Sequence, residues 1–259
     1  MMRTAFLAAI ATVSVAVMKP AHAQTPASGF GAPGQFVVSA DRLFGLQFWS
    51  FKTQADTTPM NANPNTNKLS GISLSLLWNT DTPNAQVPTS TVYSTPQIGL
   101  DYVLGSPITL GASLGYVHHS VSLDSTNNIT GVTTTTDQPS GSAVLLHPRV
   151  GYVFPLTPLF GIWARAGVTY YWFQTKGTNA NGTATTSNSA DGLGLSLDPE
   201  LIITPLPHVG ITVGPMLDFP ITGSNKNQST NNMTGVTTTT EGSAKLTSFG
   251  INAGVLAYF

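Results

Sequence analysis

Beyond its first few residues the chain carries three arginines, Arg42, Arg149 and Arg165. Arg149 and Arg165 lie in stretches where apolar residues take every second position, and both fall on the opposite, small and polar face. Asp101, Asp198, Glu200 and Asp218 share that face. A charge on an enclosed face must be paired, because an isolated buried ion costs several kcal/mol. We therefore expect an ion-pair network in which Asp101, Asp198 and Glu200 meet Arg149 and Arg165 across an interior. Such a network is either a structural plug or an ion path or proton relay. Arg42 breaks the pattern, since alternation from Phe36 puts it with Phe44 and Leu46 on the apolar face. A bulge at Asp41–Arg42, or a place near an interface, would resolve this.

One tripeptide suggests an enzyme. His118 and Ser120 share a face near the end of a strand, and a histidine so placed can activate a serine hydroxyl. Catalysis also needs a carboxylate to orient the histidine and an oxyanion hole. No residue here answers to that carboxylate, and the bland reading is a polar strand end. The chain has no cysteine, so thiol chemistry and cysteine metal sites are excluded. Metal-ligand clusters, nucleotide loops and nucleophile elbows are absent from the sequence, so no catalytic residue, metal or cofactor is expected.

The elements that position these residues are strands. Period-two alternation runs through 143–154, 160–174, 193–201 and 209–221, each about the length a tilted membrane strand requires. Connections alternate between tight turns (105–107, 155–159, 205–207) and long Thr/Asn/Ser-rich loops (123–141, 176–190, 222–243). That is the pattern of short periplasmic turns and long external loops. Counting back from a descending last strand at 244–259 gives eight strands, the first at about 36–51 and the second at 95–104. Gly71–Trp78 also reads as a strand but would make the count odd. It is placed in the first external loop as a hairpin extension or lid, with ten strands as the alternative. The fold class is all-β: an eight-stranded antiparallel transmembrane β-barrel with long extracellular loops.

Residues 1–23 read as a signal peptide. Arg3 precedes an apolar stretch from Phe6 to Met18, and Ala21-His22-Ala23 is a small-x-small cleavage site. Residues 24–34 form a flexible leader and 35–259 the barrel. Charged residues are only 8% of the chain, far below a soluble domain, while hydrophobicity is ordinary at 41%. Loss of Arg3 and Lys19 with the leader leaves the formal charge at −3 rather than −1, and no basic patch exists, so nucleic acid is not a partner. The five remaining lysines (52, 68, 176, 226 and 245) read as loop or loop-edge residues. Phe48, Trp49, Phe51 and Tyr170–Phe173 read as an interfacial aromatic girdle. Phe259 ends an alternating strand, as bacterial outer-membrane barrels commonly do, with Tyr258 pointing inward.

With SADRLFG (39–45), HPRVGY (147–152) and a closing Tyr258-Phe259, the chain resembles small outer-membrane barrels of the OmpA/OmpX type and uncharacterised bacterial barrels. The resemblance implies a bacterial outer-membrane location, contact with outer-membrane lipid and lipopolysaccharide, and recognition of Phe259 by the assembly machinery. It carries no activity. His118-x-Ser120 looks like the active site of outer-membrane lipid A deacylases.

STNNITGVTTTTD (125–137) recurs as STNNMTGVTTTTE (229–241), identical at eleven of thirteen positions. Each copy has two β-prone arms about a turn at Thr-Gly, able to extend a hairpin above the membrane. The expected function is that of a structural or surface-interaction barrel, with an extracellular ligand at 123–141 and 222–243. The alternatives are a narrow pore for small solutes or ions and a lipid A-modifying hydrolase.

Overall fold

Alternation forces every strand to present one apolar and one polar or small face, and a closed ring turns these faces outward and inward. The computed structural model describes residues 29–55, 66–76, 93, 95–105, 107–120, 122–126, 133–137, 139–178 and 182–259. The segment read as a signal peptide lies outside them. The described strands are β1 (Phe36–Ala55), β2 (Thr66–Leu76), β3 (Gln97–Val103), β4 (Ile108–His119), β5 (Ser122–Thr126), β6 (Thr133–Asp137), β7 (Ser140–Pro155), β8 (Phe160–Thr178), β9 (Ala184–Leu206), β10 (Val209–Asn231) and β11 (Thr237–Tyr258).

Strands β11, β10, β9, β8, β7, β4, β3 and β1 pair in that order, all antiparallel, and β1 pairs back onto β11. The ring therefore has eight places. Phe36 and Phe259 seal the closure by exchanging backbone bonds of 3.0 and 2.9 Å. The outward face is apolar along the ring: Leu100, Leu110, Val150, Val168, Leu195, Ile211 and Ile251 are all exposed. Apolar side chains in a continuous outward band face lipid, and a closed ring leaves no unpaired edge to solvate there.

The segment Gly71–Trp78 is corrected by the structure. Residues 66–76 form part of the wall, with β2 pairing along Phe44–Gln54 of β1 and β3 along Phe36–Asp41 of the same edge. The two short strands thus follow one another in a single place of the ring, which keeps the count at eight; residues 77 and 78 lie outside the described ones. Tyr93, which lies between them in sequence, sits in the lumen. Tyr93 is buried against Tyr171, ring centroids 5.8 Å apart, and its carbonyl accepts from Arg42 Nη1 and Gln47 Nε2 at 2.9 and 3.2 Å. A strand-sized apolar run that shares its place in the ring with a second short strand looks, in sequence, the same as an extra strand.

The strands also run further than the sequence pattern suggests. The stretches read as loops at 176–190 and 222–243 are mostly continuations of β8 to β11, paired as far as Thr178↔Thr185 and Thr230↔Thr237. All five lysines consequently lie in strands. The aromatic stretch divides by parity. Tyr170 and Phe48 face outward, but Tyr171 and Phe173 are buried inside, and Phe51 packs against them. The leader is not wholly free: Phe30 reaches into the periplasmic mouth, edge-on to Trp163 and Tyr258 at 5.4 and 5.5 Å. Gln35 holds that turn by accepting from the amides of Gly31 and Ala32.

Tight curvature depends on inward glycines. A Cβ on Gly214 would overlap the Pro199 carbonyl oxygen and come within 2.8 Å of the Glu200 Cα, both backbone atoms of the next strand. Gly214→Val is expected to destabilise the detergent-folded barrel by about 1–3 kcal/mol, as overpacking does, and so to lower its unfolding midpoint. Gly105→Ala, which meets open space, is the control and should leave the midpoint unchanged in the same denaturant titration.

Candidate functional site

Along β7, β8, β9 and β11 the inward residues run apolar, then polar or charged, then apolar. The extracellular layer contains Tyr93, Leu145, Tyr171, Met216 and Leu246. The periplasmic layer contains Val37, Val153, Trp163, Ile202, Leu256 and Tyr258. Among the described residues three guanidiniums and five carboxylates occupy the lumen with them, and none of the eight residues is more than 3% exposed.

Arg149, on β7, reaches across the lumen to β3 and β1. Its Nε and Nη2 donate to the two oxygens of Asp101 at 3.0 and 2.5 Å, a two-pronged contact, and its Nη1 donates to Asp41 at 2.6 Å. Ser39 completes the cradle, accepting from Arg149 at 3.1 Å and donating to Asp41 at 3.0 Å. Arg165, on β8, shares Asp41 at 3.1 Å, and its Nη2 lies 2.5 Å from Glu200 Oε1 as an ion pair without the alignment of a hydrogen bond. Its guanidinium also lies over the Trp163 ring, 4.5 Å from the centroid. Asp41 thereby couples the two arginines.

Asp198 pairs with neither of them. Its partner is Arg42, whose Nη2 lies 3.3 Å from Asp198 and 3.4 Å from Asp218. Arg42 enters the lumen because its backbone takes a φ of 58° and the β1–β11 register shifts between Ala40 and Phe44. That conformation is uncommon for a residue with a side chain, and here it moves a guanidinium off the lipid face. Ser196 supports Asp218 at 2.5 Å and is itself 2.5 Å from Thr169. Six of the participants, Asp101, Arg149, Arg165, Asp198, Glu200 and Asp218, lie on the inward face that alternation gives them. Asp41 was missed and Arg42 left undecided, although the broken alternation at Asp41–Arg42 was the signal for both.

The histidine tripeptide assembles differently from the catalytic reading. His118 Nδ1 lies 2.8 Å from Ser142 Oγ, its cross-strand neighbour on β7, rather than against Ser120. Among the described residues no group of three or more acidic or histidine side chains is arranged to hold a metal.

At the loop end the described arms of the two repeat copies pair alike. In the first, Ser122–Thr126 pairs with Asp137–Thr133; in the second, Lys226–Thr230 pairs with Glu241–Thr237, in the same register residue for residue. The second tip is locked. Asn231 Oδ1 accepts from the amides of Met233 and Thr234 at 2.9 and 3.1 Å, and Gly235 supplies a φ of 68°. Asn232 ties it to the neighbouring β8–β9 tip, donating to the Gly182 and Thr183 carbonyls at 2.8 Å each.

Removing one partner of a buried pair strands the other, at about 3–5 kcal/mol. Arg149→Met should lose that much stability in urea titration followed by tryptophan fluorescence, since it leaves Asp41 and Asp101 facing each other. Arg149→Met/Asp101→Leu should recover part of the loss. An unchanged midpoint in the single variant contradicts the network.

No family model and no curated protein matches the chain. Among solved structures it is similar to a major outer membrane protein from Thermus thermophilus at 13% identity and a TM-score of 0.47, covering 82% of this chain and 99% of that one. The outer membrane protein OprG from Pseudomonas aeruginosa is 11% identical with a TM-score of 0.49, covering 88% and 97%. Ail, the attachment invasion locus protein of Yersinia pestis, is 11% identical with a TM-score of 0.33, covering 88% and 99%. The chain's own closed ring of eight antiparallel strands, apolar outside and ion-paired within, gives it the fold of a small transmembrane β-barrel.

Proposed function

We propose that the protein is a sealed outer-membrane anchor that presents one Thr/Asn hairpin twice to an extracellular ligand, with the charged lumen as its plug. The observation that carries this reading is the identical register of the two repeat hairpins. Two copies of one sequence, with their described arms paired in one register, offer the same set of groups to a ligand at two places. In the second copy the neighbouring strands fix those groups in advance. Thr178, Thr185, Thr230 and Thr237 stand side by side across β8, β9, β10 and β11, and Thr230 and Thr237 bond at 2.8 Å. Order established before binding lowers the entropic cost of association. Hydroxyls and amides without net charge suit a saccharide surface.

The narrow-pore reading has less support, because any axial path must pass between Arg42, Arg149, Arg165 and their carboxylates. Lipid A hydrolysis has less still, with His118 engaged by Ser142. Phe259, exposed at the end of β11, is offered to the assembly machinery.

The test is binding of the folded barrel to an array of immobilised glycans, with residues 127–132, residues 231–236, or both replaced by an Asn-Gly turn. Losing either tip should weaken surface binding by about tenfold or more, through lost avidity, and losing both should abolish it. Binding that ignores both replacements contradicts the proposal.

A further inference from the structure

Three of the five lysines form a row. Lys245 on β11 is the direct cross-strand partner of Lys52 on β1, and Lys52 is the direct partner of Lys68 on β2. All three are exposed on the outward face. Adjacent strands lie about 4.8 Å apart, so three ammonium groups are anchored side by side within about 10 Å. Like charges placed directly opposite are destabilising. Among the described residues, none of the three makes an ion pair, whereas the exposed Lys226 is matched by Glu241 at 3.0 Å.

The rows beneath follow a sequence of their own on the same three strands. Next toward the membrane come Thr247, Ser50 and Ser70; then Phe249, Phe48 and Ile72; then Ile251, Leu46 and Leu74. Each step is two residues, about 7 Å along the strand. Phe48 and Phe249 stack at 5.0 Å and 13°. The hydroxyl row and the row of Phe249, Phe48 and Ile72 line a groove of about 380 Å³ on the outside of the barrel.

From this order of chemistry we infer a binding site for a phosphorylated glycolipid of the outer leaflet, the lipid A portion of lipopolysaccharide. Acyl chain lies along Phe48, Ile72 and Phe249. Sugar and acyl-linkage oxygens meet the hydroxyl row. Phosphate sits on Lys52, Lys68 and Lys245, whose ammonium donors it satisfies by charge-assisted bonds. The site continues the lipid-facing surface at the height where headgroups begin, and the bound phosphate relieves the repulsion within the row. The hydroxyl row favours a sugar headgroup over a plain phospholipid.

This inference takes from the display reading only that the loop end faces outward. A negative glycan array leaves it standing, and a negative lipid titration leaves the array result standing. The test uses the folded barrel in neutral detergent, following its unfolding midpoint on addition of bisphosphorylated lipid A, dephosphorylated lipid A, phosphatidylglycerol or inorganic phosphate. Bisphosphorylated lipid A should raise the midpoint of the wild type at the lowest concentration of the four. In Lys52→Gln/Lys68→Gln/Lys245→Gln its apparent affinity should fall by about a hundredfold. That variant should also be no less stable than wild type without lipid, since its substitutions remove only repelling charges. Lys176→Gln is the control and should behave as wild type. No shift in wild type overturns the site, as does a triple variant that keeps its affinity. An equal response to phosphatidylglycerol or inorganic phosphate also overturns it, because any anion would then suffice.

Discussion

An eight-stranded ring encloses a space that only side chains can fill, and among the described residues eight of those side chains are charged. In so dry an interior each charge must find a partner or destabilise the fold. The three arginines answer this by reaching across the lumen rather than along one strand. Arg149 ties β7 to β1 and β3, Arg165 ties β8 to β1 and β9, and Arg42 ties β1 to β9 and β10. The same contacts that neutralise charge thus cross-brace the wall. They depend on one local distortion, the turned backbone at Arg42, which converts a lipid-facing position into an inward one.

That bracing sets the order of what lies above and below it. Apolar clusters fill both ends, and Phe30 closes the periplasmic mouth from outside the strands. Tyr93, between β2 and β3 in sequence, contributes to the same packing, since it joins the extracellular cluster and its carbonyl caps Arg42. Outside, the strands answer to a different solvent. Their outward rows change from aliphatic to aromatic to hydroxyl to lysine within a few residues on β11, β1 and β2, matching a bilayer whose polarity changes over the same height. Above that level the wall becomes a polar sheet of paired hairpins.

Much of this was legible in sequence because period two assigns faces without knowledge of the fold. Parity placed Arg149, Arg165, Asp101, Asp198 and Glu200 inside, and the alternation of tight and long connections led to eight strands. What parity does not carry is pairing across the ring. Asp198 meets Arg42, not the arginines nearer to it by simple alternation, because a register shift in β1 rotates one residue out of phase. Nor does parity mark where a strand leaves the membrane: threonine-rich arms read as loops although β-branched residues are well suited to strands. The interrupted second strand was misplaced for a related reason, since an apolar run reports burial or lipid contact and not continuity. The row of three lysines was invisible, being built from residues nearly two hundred positions apart that meet only when the last strand closes on the first.

The central claim is that these ion pairs seal the lumen, and single-channel recording in a planar lipid bilayer tests it most directly. A plugged barrel predicts a silent trace after insertion, with insertion verified by the heat-dependent mobility of the recovered protein. Discrete, sustained conductance steps from the wild-type barrel would show an open path through the network and contradict it.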